Sequence, residues 1–271
     1  MCIYPIYLKK ETWKQKISTS YHMVQVPCGR CLECLKLRVN SWYVRLQNEQ
    51  KYSDTSFFVT LTIDDDHLEY SDDWRPQLCY KDVQLFFKKL RKKNAEQTNK
   101  KIKYFCVGEY GSITERPHYH LIIFNCVNAD FIEKCWKLGN VHIGKVEPAS
   151  IYYTLKYALK RATKIKKSDD MRTVEKAIMS RGLGINFLTD EMVNFYKSDV
   201  TRGIILEDGK KLPLPRYYRD KIFTNTEKLK RNKIMVQKAQ EKSYERRIDP
   251  LFPERVSKMY KEAWKKEKKT D

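Results

Sequence analysis

Hydrophobic positions along this chain follow two spacings, one typical of helices and the other typical of strands. The helical spacing predicts helices at 35–52, 81–94, 130–137 and 150–166, with Ser150 as the N-cap of the last. Short aromatic and β-branched runs predict strands at 57–63, 102–110, 118–126 and 140–147. After the first helix the order is β, α, β, β, α, β, α. It predicts an α+β fold, in which helices flank an antiparallel β-sheet.

The chain has 271 residues, enough for one sizeable core with an appended segment. We predict three parts. Residues 1–55 form a cysteine-containing lead-in, irregular up to residue 35, and then a helix. Residues 56–170 form the core, and 171–271 form a basic C-terminal extension packed on the core or following it. Apolar residues near the C-terminus are too sparse for a second core.

The formal net charge is +20, from 54 Lys and Arg against 34 Asp and Glu. So large an excess favours a polyanionic partner, with nucleic acid as the first candidate. The longest apolar runs are too short to span a bilayer, and the N-terminal residues show no signal-peptide core. We therefore expect no membrane partner, and a soluble protein in a reducing cytoplasm.

Two histidines one residue apart, His118 and His120, lie in a predicted strand. Alternate strand side chains share a face, so the two imidazoles can bind one metal ion. Glu109, across the predicted hairpin, can lie on the same face and add an oxygen ligand, a set that suits Mg²⁺ or Mn²⁺. Acidic residues 64–66 are competing ligands. The alternative interpretation is that both histidines are hydrogen-bonded strand residues.

Two tyrosines, Tyr153 and Tyr157, are four residues apart in the last predicted helix and share one of its faces. A phenol hydroxyl is a plausible nucleophile for a metal-activated phosphorus, and Lys156, Lys160 and Arg161 can supply nearby cations. Ordinary packing of the rings and a solvated lysine face are the alternatives.

Three cysteines, Cys28, Cys31 and Cys34, form a C-x-x-C-x-x-C run. In a cytoplasmic protein this spacing indicates metal binding or close packing rather than disulfides. Three thiolates are one ligand short of a structural Zn²⁺ site, and Cys2 can complete it. Partly buried thiols at the start of a helix are an equal alternative.

Basic side chains on the helix at 81–94 and in the extension are candidates for contacts with DNA phosphates. Solubility is the alternative explanation. The DNA-binding candidates are Lys88, Lys89, Arg91, Lys92, Arg161 and Arg216.

With these patterns in view, the chain resembles the HUH endonuclease superfamily, and within it the replication initiators of microviruses of the gokushovirus type. The matching motifs are a cysteine run, a first strand, a Gly-Glu-Tyr-Gly run, the histidine strand, a Tyr-x-x-Lys-Tyr-x-x-Lys helix and a Pro-Arg-Tyr-Tyr run. They lie at 27–34, 58–62, 108–111, 116–120, 153–160 and 215–218. The resemblance covers nearly the whole chain.

The resemblance implies a ferredoxin-like or RRM-like nuclease core and a metal-dependent enzyme of viral rolling-circle replication. One tyrosine would nick single-stranded origin DNA, leaving a 5′-phosphotyrosine and a free 3′-hydroxyl, and the second would permit rejoining. The implied partners are single-stranded and origin DNA with a host polymerase and helicase, in the host cytoplasm. The order of tyrosine use and the oligomeric state stay open. A non-catalytic single-stranded nucleic-acid-binding protein is the alternative.

Overall fold

The computed structural model describes residues 2, 4–9, 23–111, 113–163 and 170–247. They form two compact units, one made of residues 41–192 and the other of residues 1–40 with 193–271. The division into three parts made from the sequence stays a prediction. Within the described residues no helix is both long and apolar enough to cross a membrane.

The described residues contain seven α-helices and eleven short or medium β-strands. The strands are β1 (Ile6–Lys9), β2 (Met23–Val26), β3 (Ser56–Thr62), β4 (Glu69–Tyr70), β5 (Pro76–Gln77), β6 (Lys103–Tyr110), β7 (Pro117–Phe124), β8 (Val141–Lys145), β9 (Ala177–Met179), β10 (Ile204–Ile205) and β11 (Lys211–Leu212). The helices are α1 (Leu32–Lys51), α2 (Tyr80–Ala95), α3 (Ala129–Cys135), α4 (Pro148–Thr163), α5 (Asp190–Ser198), α6 (Arg216–Ile222) and α7 (Asn225–Arg247).

The unit of residues 41–192 is built on a five-stranded sheet in the order β8-β3-β7-β6-β9. All of its neighbouring strands are antiparallel. The α+β class predicted from the sequence is therefore confirmed, and each predicted helix and strand has a counterpart within a few residues. The edge strand β9 was not predicted, because three residues are too few to show an alternating pattern.

Alternation along the strands gives the sheet two different faces. On one face, Leu61, Tyr119 and Leu121 lie in a buried cluster with apolar side chains of α2 and α3, including Phe86 and Ile132. This face holds the main hydrophobic core of the unit. The opposite face carries the histidines.

Helices also cover the histidine face. From α1, the Trp42 ring lies 5.0 Å from the Phe105 ring of β6, and Tyr43 stacks on Tyr152 of α4 at 4.2 Å. Helix α4 begins at Pro148, where proline suits the first helical position. The predicted N-cap at Ser150 is therefore wrong: its hydroxyl lies inside the first turn.

The unit of residues 1–40 and 193–271 contains two small hairpins, β1–β2 and β10–β11. The segment up to residue 35 was predicted to be irregular, and the β1–β2 hairpin corrects this. The neighbouring residues Ile6 and Tyr7 of β1 show no alternation of burial, since Ile6 is 48% exposed and Tyr7 is 58% exposed. The helices α6 and α7 also belong to this unit.

Tyr119 links the core face to the start of α2. Its hydroxyl accepts a hydrogen bond from the Cys79 backbone N–H and donates one to the Cys79 carbonyl, each at 2.8 Å. Cys79 is the N-cap of α2, and no side-chain hydrogen bond caps this helix end. The phenol thus gives the Cys79 N–H a partner and adds a second donor to the Cys79 carbonyl, which also accepts a hydrogen bond from the Asp82 N–H at 3.3 Å.

Replacing Tyr119 with Phe should destabilise the protein by about 1–3 kcal/mol, because the Cys79 N–H loses its partner and the Cys79 carbonyl loses one of its two donors. Urea unfolding followed by circular dichroism measures the change. Tyr70→Phe is the matched control, since that ring is 50% exposed and its variant should unfold like the wild type. Equal midpoints for the two variants would contradict this account of Tyr119.

Candidate active site

The β6–β7 hairpin places one carboxylate and two imidazoles together. Glu109 is the register partner of His118, and Val107 is the partner of His120, so all three polar side chains face the same side. The Glu109 Oε2 atom lies 3.4 Å from His118 Nε2 and 3.3 Å from His120 Nε2. One ligand atom from each residue lies within 4.8 Å of the others, so this triad can hold a metal ion.

The partner of the Nδ1 atom fixes the orientation of each imidazole ring. His118 Nδ1 lies 3.2 Å from the Arg116 carbonyl, to which only a protonated Nδ1 can donate. His120 Nδ1 lies 3.2 Å from Thr60 Oγ1. These partners leave both Nε2 atoms directed at the carboxylate, the arrangement in which metal-binding histidines are usually held.

Burial keeps the two imidazoles neutral. Burial lowers the pKa of His118, and burial together with repulsion from His118 in its protonated form lowers the pKa of His120 to about 3. A neutral imidazole keeps the lone pair that a metal ion needs. Buried His120 Nε2 has no hydrogen-bond partner among the described residues. A divalent cation bound by the triad would satisfy this nitrogen.

The acidic residues 64–66 are not part of the triad. Asp65 instead accepts a hydrogen bond from Arg116 Nη1 at 2.6 Å, and Arg116 also donates to the Ile63 carbonyl. The carboxylate that lies beside the histidines is that of Glu109.

Gly108 lets the core pack closely behind this carboxylate. A Cβ at this position would lie 2.7 Å from the Tyr80 hydroxyl and 2.9 Å from a methyl group of Leu78. Glycine therefore permits this close approach next to Glu109, because a side chain here would have to displace the Tyr80 and Leu78 side chains.

Helix α4 brings both tyrosines to the triad. The Tyr157 ring stacks on His120 with a centroid distance of 4.6 Å, and the Tyr153 ring meets His120 edge-on at 5.2 Å. The two tyrosine rings are 4.7 Å apart. Tyr153 is 37% exposed and Tyr157 is half-buried, so neither ring is sealed in the core. The neighbouring Tyr152 points elsewhere and stacks on Tyr43.

The predicted basic partners on α4 are only partly described. Lys156 lies between the tyrosines in sequence and is half-buried. Lys160 and Arg161 belong to the same helix, but their side chains lie outside the described part of the structure. Their roles stay predictions.

A groove of about 410 Å³ opens beside Tyr153. Its lining residues come from β3, β8 and the first turns of α4, and they are Phe58, Thr60, His142, Ala149, Ser150 and Tyr153. His142 is the register partner of Thr60 and was not singled out from the sequence. Alternation along β8 puts His142 on one face with Gly144, but only the pairing of β8 with β3 sets that face beside Thr60.

The four predicted DNA-binding residues on α2 lie away from the triad, on the other side of the sheet. Lys88, Lys89, Arg91 and Lys92 lie on the exposed side of α2, which covers the opposite face of the sheet. Arg216 begins α6 in the other unit and is exposed. Contacts of these residues with DNA stay predictions.

The four cysteines singled out from the sequence lie together in the unit of residues 1–40 and 193–271. The Sγ atoms of Cys2, Cys28, Cys31 and Cys34 all lie within 4.8 Å of one another. This cluster is a second group of residues that can hold a metal ion.

Comparisons with known proteins identify the segment that carries the triad and the tyrosines. Residues 56–162 match a family described as replication-associated protein ORF2. The chain is 28% identical to the replication-associated protein VP4 of Bdellovibrio phage phiMH2K, over 76% of this chain and 70% of that protein. It is 29% identical to the replication-associated protein ORF2 of Spiroplasma virus 4, over 77% of this chain and 73% of that protein.

A further relative is the replication-associated protein ORF4 of Chlamydia phage 1, which is 28% identical over 74% of this chain and 55% of that protein. No solved structure is significantly similar to the chain. The resemblance to phage replication proteins drawn from the sequence is confirmed, and the segment with Glu109, both histidines and both tyrosines is the part of the chain that matches this family of replication-associated proteins.

Proposed function

We infer that this protein initiates phage replication by nicking and rejoining single-stranded DNA at an origin through a tyrosine nucleophile. One observation carries the inference: both tyrosine rings contact His120, whose Nε2 lies 3.3 Å from Glu109 Oε2. Candidate nucleophiles and candidate metal ligands therefore form one cluster. The relatives named replication-associated proteins support the replication role.

Glu109, His118 and His120 would hold the metal ion. One hard carboxylate with two imidazoles suits Mn²⁺ or Mg²⁺, ions that also coordinate phosphate oxygens. When bound, the ion would neutralise and orient the scissile phosphate. The neutral state of both imidazoles and the unsatisfied nitrogen of His120 support this ligand set.

Either Tyr153 or Tyr157 of α4 would perform the covalent step. Its Oη forms a bond to phosphorus, the bond from phosphorus to the 3′-oxygen breaks, and the leaving oxygen takes up a proton while the phenol proton passes to solvent. The DNA is then joined to the protein by a 5′-phosphotyrosine. Attack of a 3′-hydroxyl on that linkage reverses the step, restoring the phenol and joining the strand.

Two tyrosines at one site allow nicking and joining to alternate. Tyr153 and Tyr157 contact each other and the same imidazole, so either hydroxyl can belong to the reacting group. While one tyrosine carries DNA, the other can attack the regenerated origin. Lys156 lies on the same helix and would supply a cation for the DNA phosphates.

The positive charge of the chain supports binding of the DNA strand. A net charge of +20 favours phosphate contacts, which should weaken as salt rises. The groove beside Tyr153 contains Phe58, on which a base can stack. Single-stranded DNA, origin DNA and a host polymerase and helicase are the proposed partners, acting in the host cytoplasm.

The tyrosine pair should be essential for a covalent protein–DNA adduct. We expect the double variant Tyr153→Phe, Tyr157→Phe to form no adduct with labelled circular single-stranded phage DNA in Mn²⁺, because no phenol remains at the triad. Denaturing gels measure the adduct, and native gel retardation measures binding, which should persist.

Tyr152→Phe is the matched control, since Tyr152 is the neighbouring tyrosine on α4 and stacks on Tyr43. It should form the adduct at the wild-type level. A wild-type protein that retards DNA but never forms an adduct would instead support a non-catalytic binding protein.

Glu109 should be required for metal binding. Glu109→Gln removes the only carboxylate of the triad and should weaken Mn²⁺ binding by at least about tenfold. Isothermal titration of Mn²⁺ into the full chain without DNA measures this. Asp65→Asn is the control, because Asp65 pairs with Arg116 rather than with the histidines. Equal losses of Mn²⁺ affinity in the two variants, or a loss only in Asp65→Asn, would place the metal at the acidic residues 64–66.

A further inference from the structure

The cysteine cluster takes no part in the proposed nicking reaction. Cys2 precedes β1, Cys28 follows β2, and Cys31 and Cys34 lie at the start of α1. The hairpin and the helix therefore bring four thiols to one point. The four thiols meet at the open end of the hairpin, next to the pair formed by Ile6 and Val26.

The spacing of the sulfur atoms suits a single tetrahedral ion. With metal–sulfur bonds of about 2.3 Å, a tetrahedral Zn²⁺ site holds its sulfurs about 3.8 Å apart. The Sγ atoms of Cys2 and Cys31 are 3.7 Å apart, and those of Cys28 and Cys34 are 4.0 Å apart. A disulfide requires a separation of about 2.05 Å.

The backbone around Cys28 is arranged to support negative charge on sulfur. Gly29 adopts a left-handed conformation with φ of 73°, and this turn directs the N–H groups of Arg30 and Cys31 at Cys28 Sγ, at 3.5 Å and 3.3 Å. The Cys28 N–H donates to Cys2 Sγ at 3.2 Å. Such donors stabilise thiolates, the form of cysteine that binds metal.

The hairpin needs a stabilising link of this kind. It has only two strands of four residues each, and a two-stranded hairpin is marginally stable in water. Tyr4, Ile6 and Tyr7 are all exposed, so their side chains contribute little burial. A metal ion at its open end would fasten both strands to the start of α1.

We propose that Cys2, Cys28, Cys31 and Cys34 bind one structural Zn²⁺ ion. Four thiolates complete the tetrahedron and leave no position for a substrate, which is typical of structural rather than catalytic zinc. The soft thiolate set also separates this site from the triad of Glu109 and two histidines, which favours a harder ion. The chain would thus hold two different metals at two sites.

Metal analysis of the full-length protein tests the proposal. Wild-type protein prepared in reducing buffer with zinc, and then freed of loosely bound metal by gel filtration, should retain one Zn²⁺ per chain. Cys28→Ser should lose it. Cys135→Ser is the matched control, because Cys135 lies on α3 outside the cluster, and this variant should keep its zinc.

A measurement on the wild type covers the case in which Cys28→Ser does not fold. Cobalt exchanged into the protein should give the absorption bands of tetrahedral thiolate coordination, and the four cysteines of the cluster should become open to alkylation only when a strong chelator is added. Absence of zinc from the folded wild type, iron in its place, or equal alkylation with and without chelator would overturn the proposal. None of these readouts depends on nicking activity.

Discussion

The register between β6 and β7 is the constraint on which the candidate active site depends. It sets Glu109 opposite His118 and puts His120 on the same face, while Tyr119 between the histidines points into the core. A slip of one residue would exchange these faces, burying the imidazoles against α2 and exposing Tyr119. The core packing of Tyr119, and its two hydrogen bonds to Cys79, therefore hold the metal-binding face in place.

The candidate active site also requires a helix that crosses the histidine face of the sheet. The i and i+4 spacing on α4 directs Tyr153 and Tyr157 to one side, where both rings touch His120. Burial keeps this imidazole neutral even though a carboxylate lies beside it. Burial leaves His120 neutral, as a metal ligand must be, and it also packs His120 against both phenol rings. The candidate metal ligand and the candidate nucleophiles are therefore in contact.

Much of this arrangement follows from local patterns in the sequence. Alternation predicted that His118 and His120 share a face, and the hairpin predicted Glu109 beside them. The β1–β2 hairpin and β9 were not predicted because their strands are short. In β1 the exposed side chains also hide the strand pattern. The cap of α4 was misplaced because Pro148 starts the helix two residues before Ser150. The groove residue His142 depends on the pairing of β8 with β3, a contact between segments far apart in the chain.

Peptide mapping of the protein–DNA adduct tests the central claim most directly. Trypsin cleaves after Lys145, Lys156 and Lys160, so Tyr153 and Tyr157 fall in different peptides and fragmentation distinguishes Tyr153 from Tyr152. After the reaction with phage DNA in Mn²⁺ and nuclease digestion, mass spectrometry should find the nucleotide on Tyr153, on Tyr157 or on both. A nucleotide attached only to Tyr152, or to any residue distant from the triad, would contradict the account.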